Sequence, residues 1–176
     1  MTADKIIEVD FLDRKLKEVT KEDAHKYGIL HRAFSVVLYN KNSILLQQRA
    51  HDKYHCGGLW TNTCCSHPRW DENLTDAVSR RLKEEMNIKN VQLEELLRFT
   101  YYYKFENGLT EFEYDHVFIG EYNGDYEINR KEASDAKWVD IDTLMKWIKN
   151  NPHEFTPWFI IFLPKIKEFL SEVNNL

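Results

Sequence analysis

The amino-acid sequence predicts an α+β fold in which a mixed β-sheet has helices packed on its faces. Short apolar runs alternate with segments of helical periodicity, and two pairs of those runs are separated by turn-forming residues. No internal repeat, low-complexity tract or linker divides the 176 residues. We therefore expect one domain that covers residues 1–176.

The predicted strands are rich in β-branched and aromatic residues, and they lie at residues 6–11, 33–39, 44–48, 99–105, 110–121 and 136–139. The turn Asn40-Lys41-Asn42-Ser43 follows the second of these strands, and Glu106-Asn107-Gly108-Leu109 follows the fourth. Each turn is typical of a hairpin connection. The sequence therefore predicts two β-hairpins.

The first two predicted helices have recognisable start signals. Thr20 and Asp23 form a capping-box-like start to a brief helix that Gly28 ends. Asn73 or Thr75 caps a second helix. Its apolar stripe recurs every four residues and consists of Leu74, Val78 and Leu82.

Two more helices are predicted in the C-terminal part of the chain. One covers residues 141–149 and is closed by Pro152. The last runs from about residue 156 to residue 173, and Pro164 is expected to kink it or divide it in two.

Composition and charge exclude several classes of protein. The chain is 43% hydrophobic and 14% aromatic with a net charge of −5, which is typical of a globular protein and argues against a nonspecific nucleic-acid binder. The first residues, MTADKIIEVDFLDRK, are unlike a signal or transit peptide, and no apolar run approaches the ~18 residues of a membrane span. Three cysteines without a secretory signal favour free thiols in a reducing compartment. We expect a cytoplasmic protein with no nucleic-acid or membrane partner.

Residues 61–68, TNTCCSHP, place two adjacent cysteines shortly before a histidine. Cys64 and Cys65 are not expected to pair with each other, because an eight-membered ring strains the intervening peptide. A structural zinc site would need a second cysteine pair, which Cys56 alone cannot supply. Either one of the two is a reactive thiol, or both are small buried hydrophobic residues.

Glu111 and Glu113 share one face of a predicted strand and Phe112 lies on the other, because side chains alternate along a strand. Two like charges so close need a cation or water, and a solvated strand face is the simpler interpretation. Imidazole nitrogens with carboxylate oxygens suit a divalent transition metal or magnesium, and the candidate histidines are His25, His31 and His67. The other histidines are interpreted as surface or satisfied core residues: His51, His55, His116 and His153.

A pattern of charges on the second helix resembles the Nudix box, in which helix carboxylates hold a metal on a diphosphate. The matching residues are Glu72, then after seven residues Arg80, and the pair Glu84-Glu85. Ser66 and Asn87 stand where that family has glycines, and Arg81 stands where it has its catalytic glutamate. The loss of that glutamate argues against diphosphate hydrolysis and leaves Glu85 available for a metal.

Four basic residues form a candidate counterpart of a diphosphate: Lys21, Arg49, Lys53 and Arg81. Taken singly, each is more simply explained as surface charge. The interpretation therefore depends on whether the fold brings them together.

From about residue 6 to residue 158, the chain resembles type I isopentenyl-diphosphate delta-isomerases, a family of isomerases with the Nudix fold. The resemblance consists of six motifs in order: HRAFSVVLYN, LLQQRA, GLWTNTCCSHP, DAVSRRLKEEM, TEFEYDHVF and FTPWF. It implies a Nudix-like mixed β-sheet with helices packed on its faces. It also implies the reversible isomerisation of isopentenyl diphosphate to dimethylallyl diphosphate, which proceeds through a carbocation and feeds isoprenoid biosynthesis.

The resemblance also implies the roles of individual residues. Cys65 and Glu113 take the catalytic positions, and Tyr101 and Trp158 take those of active-site aromatics. The implied ligands of a manganese, zinc or magnesium ion are His25, His31, His67, Glu111 and Glu113. Glu85 matches the residue that binds a magnesium ion carried in with the substrate. The implied diphosphate contacts are Lys21, Arg49, Lys53 and Arg81.

The chain departs from the family pattern at two places. The spacing from His25 to His31 is one residue shorter than in some members, and Cys56-Gly57-Gly58 replaces the usual Pro-Gly, so the loop after Lys53 is expected to be set differently. Two other functions stay open, namely a Nudix hydrolase of other diphosphates and a noncatalytic metal-binding or interaction module. The oligomeric state is expected to be a monomer or a weak dimer.

Overall fold

A computed structural model describes residues 5–175 of the chain. Within them, the strands are β1 (Lys5–Val9), β2 (Lys15–Thr20), β3 (His31–Asn40), β4 (Ser43–Arg49), β5 (Trp60–Thr61), β6 (Cys64–Ser66), β7 (Glu94–Lys104), β8 (Thr110–Glu121) and β9 (Ala133–Asp140). The helices are α1 (Lys21–Tyr27), α2 (Leu74–Met86), α3 (Ile141–Asn150) and α4 (Pro157–Asn174), with a 3-10 turn at Pro152–Glu154. Both ends of the predicted domain lie outside the described residues, so the single-domain expectation stays a prediction. No helix within residues 5–175 combines the length and apolar character that a membrane crossing requires.

The strands form one mixed sheet, as the sequence predicts, with β3 at its centre. β3 runs parallel to β8, from the pair His31 and Glu113 to the pair Tyr39 and Glu121. Its other neighbours, β1, β4 and β6, are antiparallel to it. The parallel pairing places His31 beside Glu113, so the topology rather than a local sequence pattern brings these two residues together.

Both predicted hairpins are present, with different lengths from those predicted. β3 and β4 pair only next to their turn, after which β4 runs along β9. β7 begins at Glu94, before the predicted start at Phe99, because its charged first residues also pair with β8. β1 ends at Val9 rather than residue 11, because the Asp10 carboxylate accepts the N–H of Leu12 in a turn at 2.9 Å.

Three strands have no counterpart in the sequence-based prediction: β2, β5 and β6. The side chains of β2 are mostly exposed, so no apolar alternation marks this strand. β5 and β6 contain only two and three residues, which is too short for a periodic pattern. β6 is nevertheless central to the site, because its pairing with β3 sets Cys65 opposite Ser35 and Cys64 opposite Val36.

The start and stop signals predicted for α1 are confirmed. The Thr20 hydroxyl oxygen accepts the N–H of Asp23 at 3.1 Å, and Gly28 ends α1 in the left-handed conformation at φ 63°, which glycine adopts without a Cβ penalty. Asn73 occupies the N-cap position of α2, but its side chain makes no capping hydrogen bond. The expected division of the last helix at Pro164 is wrong. α4 continues through Pro164 as one helix, because buried side chains on both sides of the proline hold the helix on the sheet.

Helices pack on both faces of the sheet, as predicted. α3 and α4 cover the face that contains Val37, and α2 covers the face that contains Val36. Neighbouring residues of β3 therefore belong to different core layers, as strand alternation requires. Phe159 and Phe162 of α4 are fully buried, and burial of such a side chain contributes about 1.5–3 kcal/mol.

Candidate active site

The candidate site is built on β8, where three acidic side chains point to the same face of the strand. Glu111, Glu113 and Asp115 are 2%, 7% and 1% exposed. Phe112 and Tyr114 lie on the opposite face, against a small core cluster of β1. The burial of the carboxylates excludes a solvated strand face, since a buried carboxylate needs hydrogen-bond donors or a cation.

Three histidines gather around Glu113. The distance from His31 Nε2 to Glu113 Oε1 is 3.5 Å, and from His67 Nε2 to the same oxygen it is 2.8 Å. The Nε2 atoms of His31 and His67 are 3.2 Å apart. With His25 from α1, these residues offer ligand atoms that all lie within 4.8 Å of one another. The cluster can therefore hold one divalent ion.

Backbone carbonyls fix the tautomers of two of these histidines. His25 Nδ1 donates to the carbonyl oxygen of Lys21 at 2.6 Å, and His31 Nδ1 donates to that of Ile29 at 2.8 Å. Because a carbonyl oxygen only accepts, the proton of each neutral imidazole lies on Nδ1 and the lone pair lies on Nε2. This is the form in which histidine ligates a metal, with its other nitrogen oriented by a hydrogen bond.

Glu111 contacts two histidines, His25 and His55. The interpretation of His55 as a surface or satisfied core residue is wrong. His55 Nε2 lies 2.9 Å from Glu111 Oε1, and His25 Nε2 lies 3.2 Å from Glu111 Oε2. His55 is neither a surface residue nor a fully satisfied core residue, because it is buried and its Nδ1 has no hydrogen-bond partner among the described residues. Burial and the charge of Glu113 raise the pKa of Glu111, but the contacts with His25 and His55 leave that pKa below its ordinary value.

The other three histidines agree with the interpretation from sequence. His51 and His153 are exposed. His116 is buried on the outer face of β8, between Glu95 at 2.6 Å and Asp13 at 3.0 Å. Both of its ring nitrogens are therefore satisfied.

Burial and mutual contacts set the charges of the inner cluster. Burial favours a neutral Glu113, but the contacts with His31 and His67 hold the pKa of this carboxyl well below its ordinary value. Burial lowers the pKa of His67 to about 3, despite the adjacent Glu113. Burial and the charge of Glu113 raise the pKa of Asp115 well above its ordinary value, although Ser35 Oγ donates to its carboxyl at 2.8 Å. The protein groups thus place an ionised Glu113 beside a neutral His67 and a neutral Asp115.

The two adjacent cysteines of β6 point to opposite sides of the sheet. Cys64 is completely buried in the core beneath α2, whereas Cys65 is half-buried and lines a cavity. Burial raises the pKa of Cys65 to about 12, even though Arg49 lowers it and lies with Nη1 3.9 Å from the sulfur. The thiol therefore keeps its proton at neutral pH. Cys64 is a core residue, and Cys65 is the member of the pair that a small molecule can reach.

Two aromatic residues line the same cavity as Glu113. The Tyr101 hydroxyl donates to Glu113 Oε2 at 2.6 Å, and burial together with the Glu113 charge raises the pKa of Tyr101 well above its ordinary value. Trp158, at the start of α4, lies with its ring centre 5.5 Å from the Arg49 guanidinium carbon. The cavity thus combines a phenol that keeps its proton with an indole that already faces a cation.

The fold brings together all four of the predicted basic residues, and they line one part of the cavity: Lys21, Arg49, Lys53 and Arg81. Glu132, which precedes β9, pairs with Lys53 at 2.5 Å and with Arg81 at 3.2 Å. Burial lowers the pKa of Lys21, and the neighbouring cations add to this effect against the attraction of Glu111. Because positive charges crowd here, this part of the cavity favours an anion with more than one negative charge.

Glu85 of α2 lines the cavity between the basic residues and β4. Its Oε1 accepts from Arg81 Nη2 at 2.6 Å, and its Oε2 accepts from Gln47 Nε2 at 2.9 Å. Arg81 is thus an ion-pair partner of Glu85. The residue before Arg81, Arg80, forms two hydrogen bonds with Glu72, at 2.6 and 2.8 Å. This pair stabilises the start of α2.

The cavity has a volume of about 320 Å³, near the lower bound for small-molecule sites. All of the predicted site residues line it except His25 and His31, which contact its glutamates from behind. The lining residues absent from the prediction include Ser35, Gln47, Asp52, Tyr54, His55, Lys131 and Glu132. Most of them lie in loops without periodic patterns. Gln47 lies in β4, but Gln48 and Arg49 follow it in the same strand, so the sequence does not single it out.

Comparison with known proteins defines the class. Residues 29–159 match the family described as the NUDIX domain. The crystal structure of DR0079 from Deinococcus radiodurans superposes with a TM-score of 0.73 at 14% identity, covering 96% of this chain and 98% of that one. A MutT NUDIX hydrolase from Burkholderia pseudomallei gives a TM-score of 0.64 at 19% identity, with coverages of 78% and 98%. At these identities the likeness concerns the fold alone, which is that of a Nudix domain.

Curated relatives narrow this class to one family. The chain is 43% identical over 164 residues to isopentenyl-diphosphate Delta-isomerase 2 of Aromatoleum aromaticum, which covers 93% of this chain and 86% of that protein. It is 46% identical over 155 residues to isopentenyl-diphosphate Delta-isomerase 2 of Photorhabdus laumondii subsp. laumondii, with coverages of 88% and 87%. The chain belongs to the isopentenyl-diphosphate Delta-isomerase family. The resemblance found in the sequence motifs is confirmed.

Proposed function

We propose that this protein isomerises isopentenyl diphosphate to dimethylallyl diphosphate, the reaction named in its relatives. One observation carries the proposal. A single cavity is lined by the Cys65 thiol, by the hydrogen-bonded pair of Glu113 and Tyr101, and by a cluster of cations. These are the groups that proton transfer on a small diphosphate ester requires.

The double bond moves when one carbon gains a proton and another loses one, with a tertiary carbocation between the two steps. The site must therefore hold a proton-carrying group and a proton-free group against the alkene and exclude water. The pKa of Cys65 is raised to about 12 by burial, whereas Glu113 is ionised, because contacts with His31 and His67 outweigh burial and keep its pKa low. Such opposed protonation states are typical of an acid and base pair. Tyr101 relays a proton between Glu113 and the alkene.

Trp158 supports the carbocation in this proposal. Its ring faces a cation in the structure, the Arg49 guanidinium, at 5.5 Å. A cation over an indole face in a desolvated site gains about 2 kcal/mol, which corresponds to about 30-fold in rate. The side chain also carries no hydroxyl, thiol or amine that would trap the carbocation.

The diphosphate supplies most of the binding energy, since the C5 chain offers little else to hold. Its contacts are Lys21, Arg49, Lys53 and Arg81, which line one part of the cavity. Glu132 already pairs with two of these cations, so the diphosphate exchanges partners with this carboxylate. Glu85 would hold a magnesium ion that arrives with the substrate, since its carboxylate is buried at the same place.

The His and Glu cluster fits a resident divalent cation. His25 Nε2 and Glu111 Oε2 are buried without hydrogen-bond partners among the described residues, which is expected of atoms that ligate an ion. The residues that would hold it are His25, His31, His67 and Glu113, whose donor atoms form one group. Glu111 belongs to a second group through His25, and its Oε2 would reach the ion from beside His25 Nε2. Mixed nitrogen and oxygen donors accept manganese, zinc or magnesium. A bound cation would favour the anionic form of Glu113.

The hydrolase alternative has less support than isomerisation. The position of the Nudix catalytic glutamate is taken by Arg81, which is engaged by Glu85 at 2.6 Å. The remaining expectations are predictions: a cytoplasmic protein, monomeric or weakly dimeric, that acts on a small molecule without nucleic acid or membrane.

Proton NMR of isopentenyl diphosphate in deuterated water tests the proposed function. With magnesium and manganese present, the wild type should produce dimethylallyl diphosphate that contains deuterium. Cys65→Ala should lose about 10²–10⁴ in rate, the contribution of a proton-transfer group. Cys64→Ala is the matched control, because it removes the neighbouring thiol from the core and not from the cavity. Near-normal turnover by Cys65→Ala would refute the mechanism, and phosphate release without isomerisation would select a hydrolase.

A further inference from the structure

We propose that His55 is a positioning residue of the metal centre, which holds one oxygen of Glu111 so that the other oxygen faces His25. The inference rests on the metal site of the proposed function and on no part of the isomerase reaction. It assigns a role to a loop histidine that no sequence pattern marks.

The two oxygens of Glu111 have different surroundings. Oε1 lies 2.9 Å from His55 Nε2, and Oε2 lies 3.2 Å from His25 Nε2. Because His25 Nδ1 donates to the Lys21 carbonyl oxygen, the neutral, metal-ligating form of His25 directs the Nε2 lone pair at a carboxylate oxygen. His25 Nε2 and Glu111 Oε2 are both buried, and neither has a hydrogen-bond partner among the described residues. Two acceptors this close are compatible when both face one cation, so Oε2 is the metal-facing oxygen and Oε1 is the one that His55 holds.

The His55 ring is fixed by aromatic neighbours. It stacks on Phe105 with ring centres 5.1 Å apart and planes 19° apart, and on His25 at 5.4 Å and 25°. Tyr54 meets it edge-on at 4.4 Å. A ring confined on these sides keeps Nε2 directed at Glu111, which is the pre-organisation that an oriented metal ligand requires.

The loop that carries His55 has an unusual backbone. Cys56 adopts a positive φ of 50°, which is uncommon for a residue other than glycine. At Gly57 a Cβ atom would lie 2.5 Å from the carbonyl oxygen of His51, so only glycine fits there. Arg49 Nη2 donates to the His55 carbonyl oxygen at 3.3 Å. Cys56-Gly57-Gly58, which replaces the family's Pro-Gly, is thus the segment that directs the His55 side chain towards the site.

The geometry favours positioning over direct ligation. His55 Nε2 lies at hydrogen-bond distance, 2.9 Å, from Glu111 Oε1, whereas His25 contacts the other oxygen of this carboxylate. A ring nitrogen that donates its proton to a carboxylate has no lone pair left for an ion. His55 therefore acts through Glu111.

Binding of Co²⁺ to the purified full-length chain tests the inference. After removal of bound metal, Co²⁺ affinity is measured by competition with a chelator, and the visible spectrum of the Co²⁺ protein reports its ligands. In His55→Gln the side-chain amide nitrogen reaches the position of Nε2. In His55→Asn the side chain is too short for its amide nitrogen to reach Glu111. We expect His55→Asn to weaken Co²⁺ binding about 10–100-fold and His55→Gln to stay within about threefold of wild type, with an unchanged spectrum. His116→Gln is the matched control, because it removes a buried, carboxylate-paired histidine from the opposite face of β8.

Each result decides the inference. Wild-type affinity in His55→Asn overturns it, as does a His55→Gln protein that binds as weakly as His55→Asn. If His55→Asn does not fold, a displaced Co²⁺ spectrum in His55→Gln overturns positioning in favour of direct ligation, and an unchanged spectrum supports positioning. A wild type that binds no Co²⁺ removes the metal centre and this inference together. If the wild type binds Co²⁺ and the variants bind it as expected, but the wild type does not isomerise isopentenyl diphosphate, only the proposed reaction is refuted.

Discussion

Both faces of β8 carry a histidine beside carboxylates, but within residues 5–175 only on the outer face are the hydrogen-bonding atoms of the histidine satisfied. On the outer face, His116 contacts Glu95 through one ring nitrogen and Asp13 through the other. On the inner face, His25 Nε2 and Glu111 Oε2 lie 3.2 Å apart and lack hydrogen-bond partners among the described residues. A histidine beside a carboxylate therefore does not identify a functional site by itself. Buried polar atoms left unsatisfied make the difference, because they cost free energy unless a ligand completes them.

The charge balance of the two faces differs as well. Each outer carboxylate also has a guanidinium partner, since Asp13 contacts Arg32 at 2.7 Å and Glu95 contacts Arg98 at 2.5 Å. The inner glutamates have imidazoles instead, which can be neutral. The outer cluster is thus neutralised by permanent charges. The inner cluster keeps excess negative charge that a divalent cation can balance.

Substitution of Glu113 should give the largest difference in turnover between changes on the inner face and changes on the outer face of β8. Glu113→Gln keeps the shape of the side chain and removes the proton-accepting group, so turnover should fall about 10²–10⁴-fold. His116→Gln on the outer face should leave turnover within about twofold, since it touches no reacting group. Proton NMR gives both rates, and thermal unfolding checks that both variants fold. If Glu113→Gln turned over normally, the inner face would have no catalytic role.

Acid should destabilise the inner face through His67. Burial lowers the pKa of His67 in the folded protein to about 3, below the unfolded value of about 6.5. Between these values the unfolded chain binds a proton that the folded chain does not, so the stability present above pH 6.5 is lost as the pH falls towards 3. From pH 6.5 to pH 5, metal-free wild type should lose about 1.5 kcal/mol more of its unfolding free energy than His67→Gln. Urea titrations measure this difference, and equal losses would contradict a neutral buried His67.

Local patterns predict much of the fold and part of the site. Alternation along β8 predicts that Glu111 and Glu113 share a face, and capping signals locate the ends of α1 and the start of α2. The pairing of His31 with Glu113 is beyond such patterns, because it depends on parallel strands that are distant in sequence. Family resemblance supplies what local physics does not, namely which residues gather at one place.

The position of His55 is predicted neither by local patterns nor by the resemblance. Its direction depends on the positive φ of Cys56 and the crowded backbone at Gly57, which are properties of the folded loop. The choice between Cys64 and Cys65 is beyond local patterns as well, although the resemblance assigns the catalytic position to Cys65. Two adjacent cysteines do not by themselves indicate which one faces the cavity, and in the fold the pairing of β6 with β3 decides it.

The smallest expected effect belongs to Arg98 on the outer face. Its side chain is 53% exposed where it pairs with Glu95, and an exposed ion pair contributes about 0.2–1 kcal/mol. Glu95 keeps His116 as a partner when Arg98 is removed. Arg98→Ala should therefore lower the free energy of unfolding by less than about 1 kcal/mol, measured by urea titration, and leave isomerisation unchanged. A large loss of turnover would show that β8 transmits changes between its faces, and the outer cluster would then belong to the site.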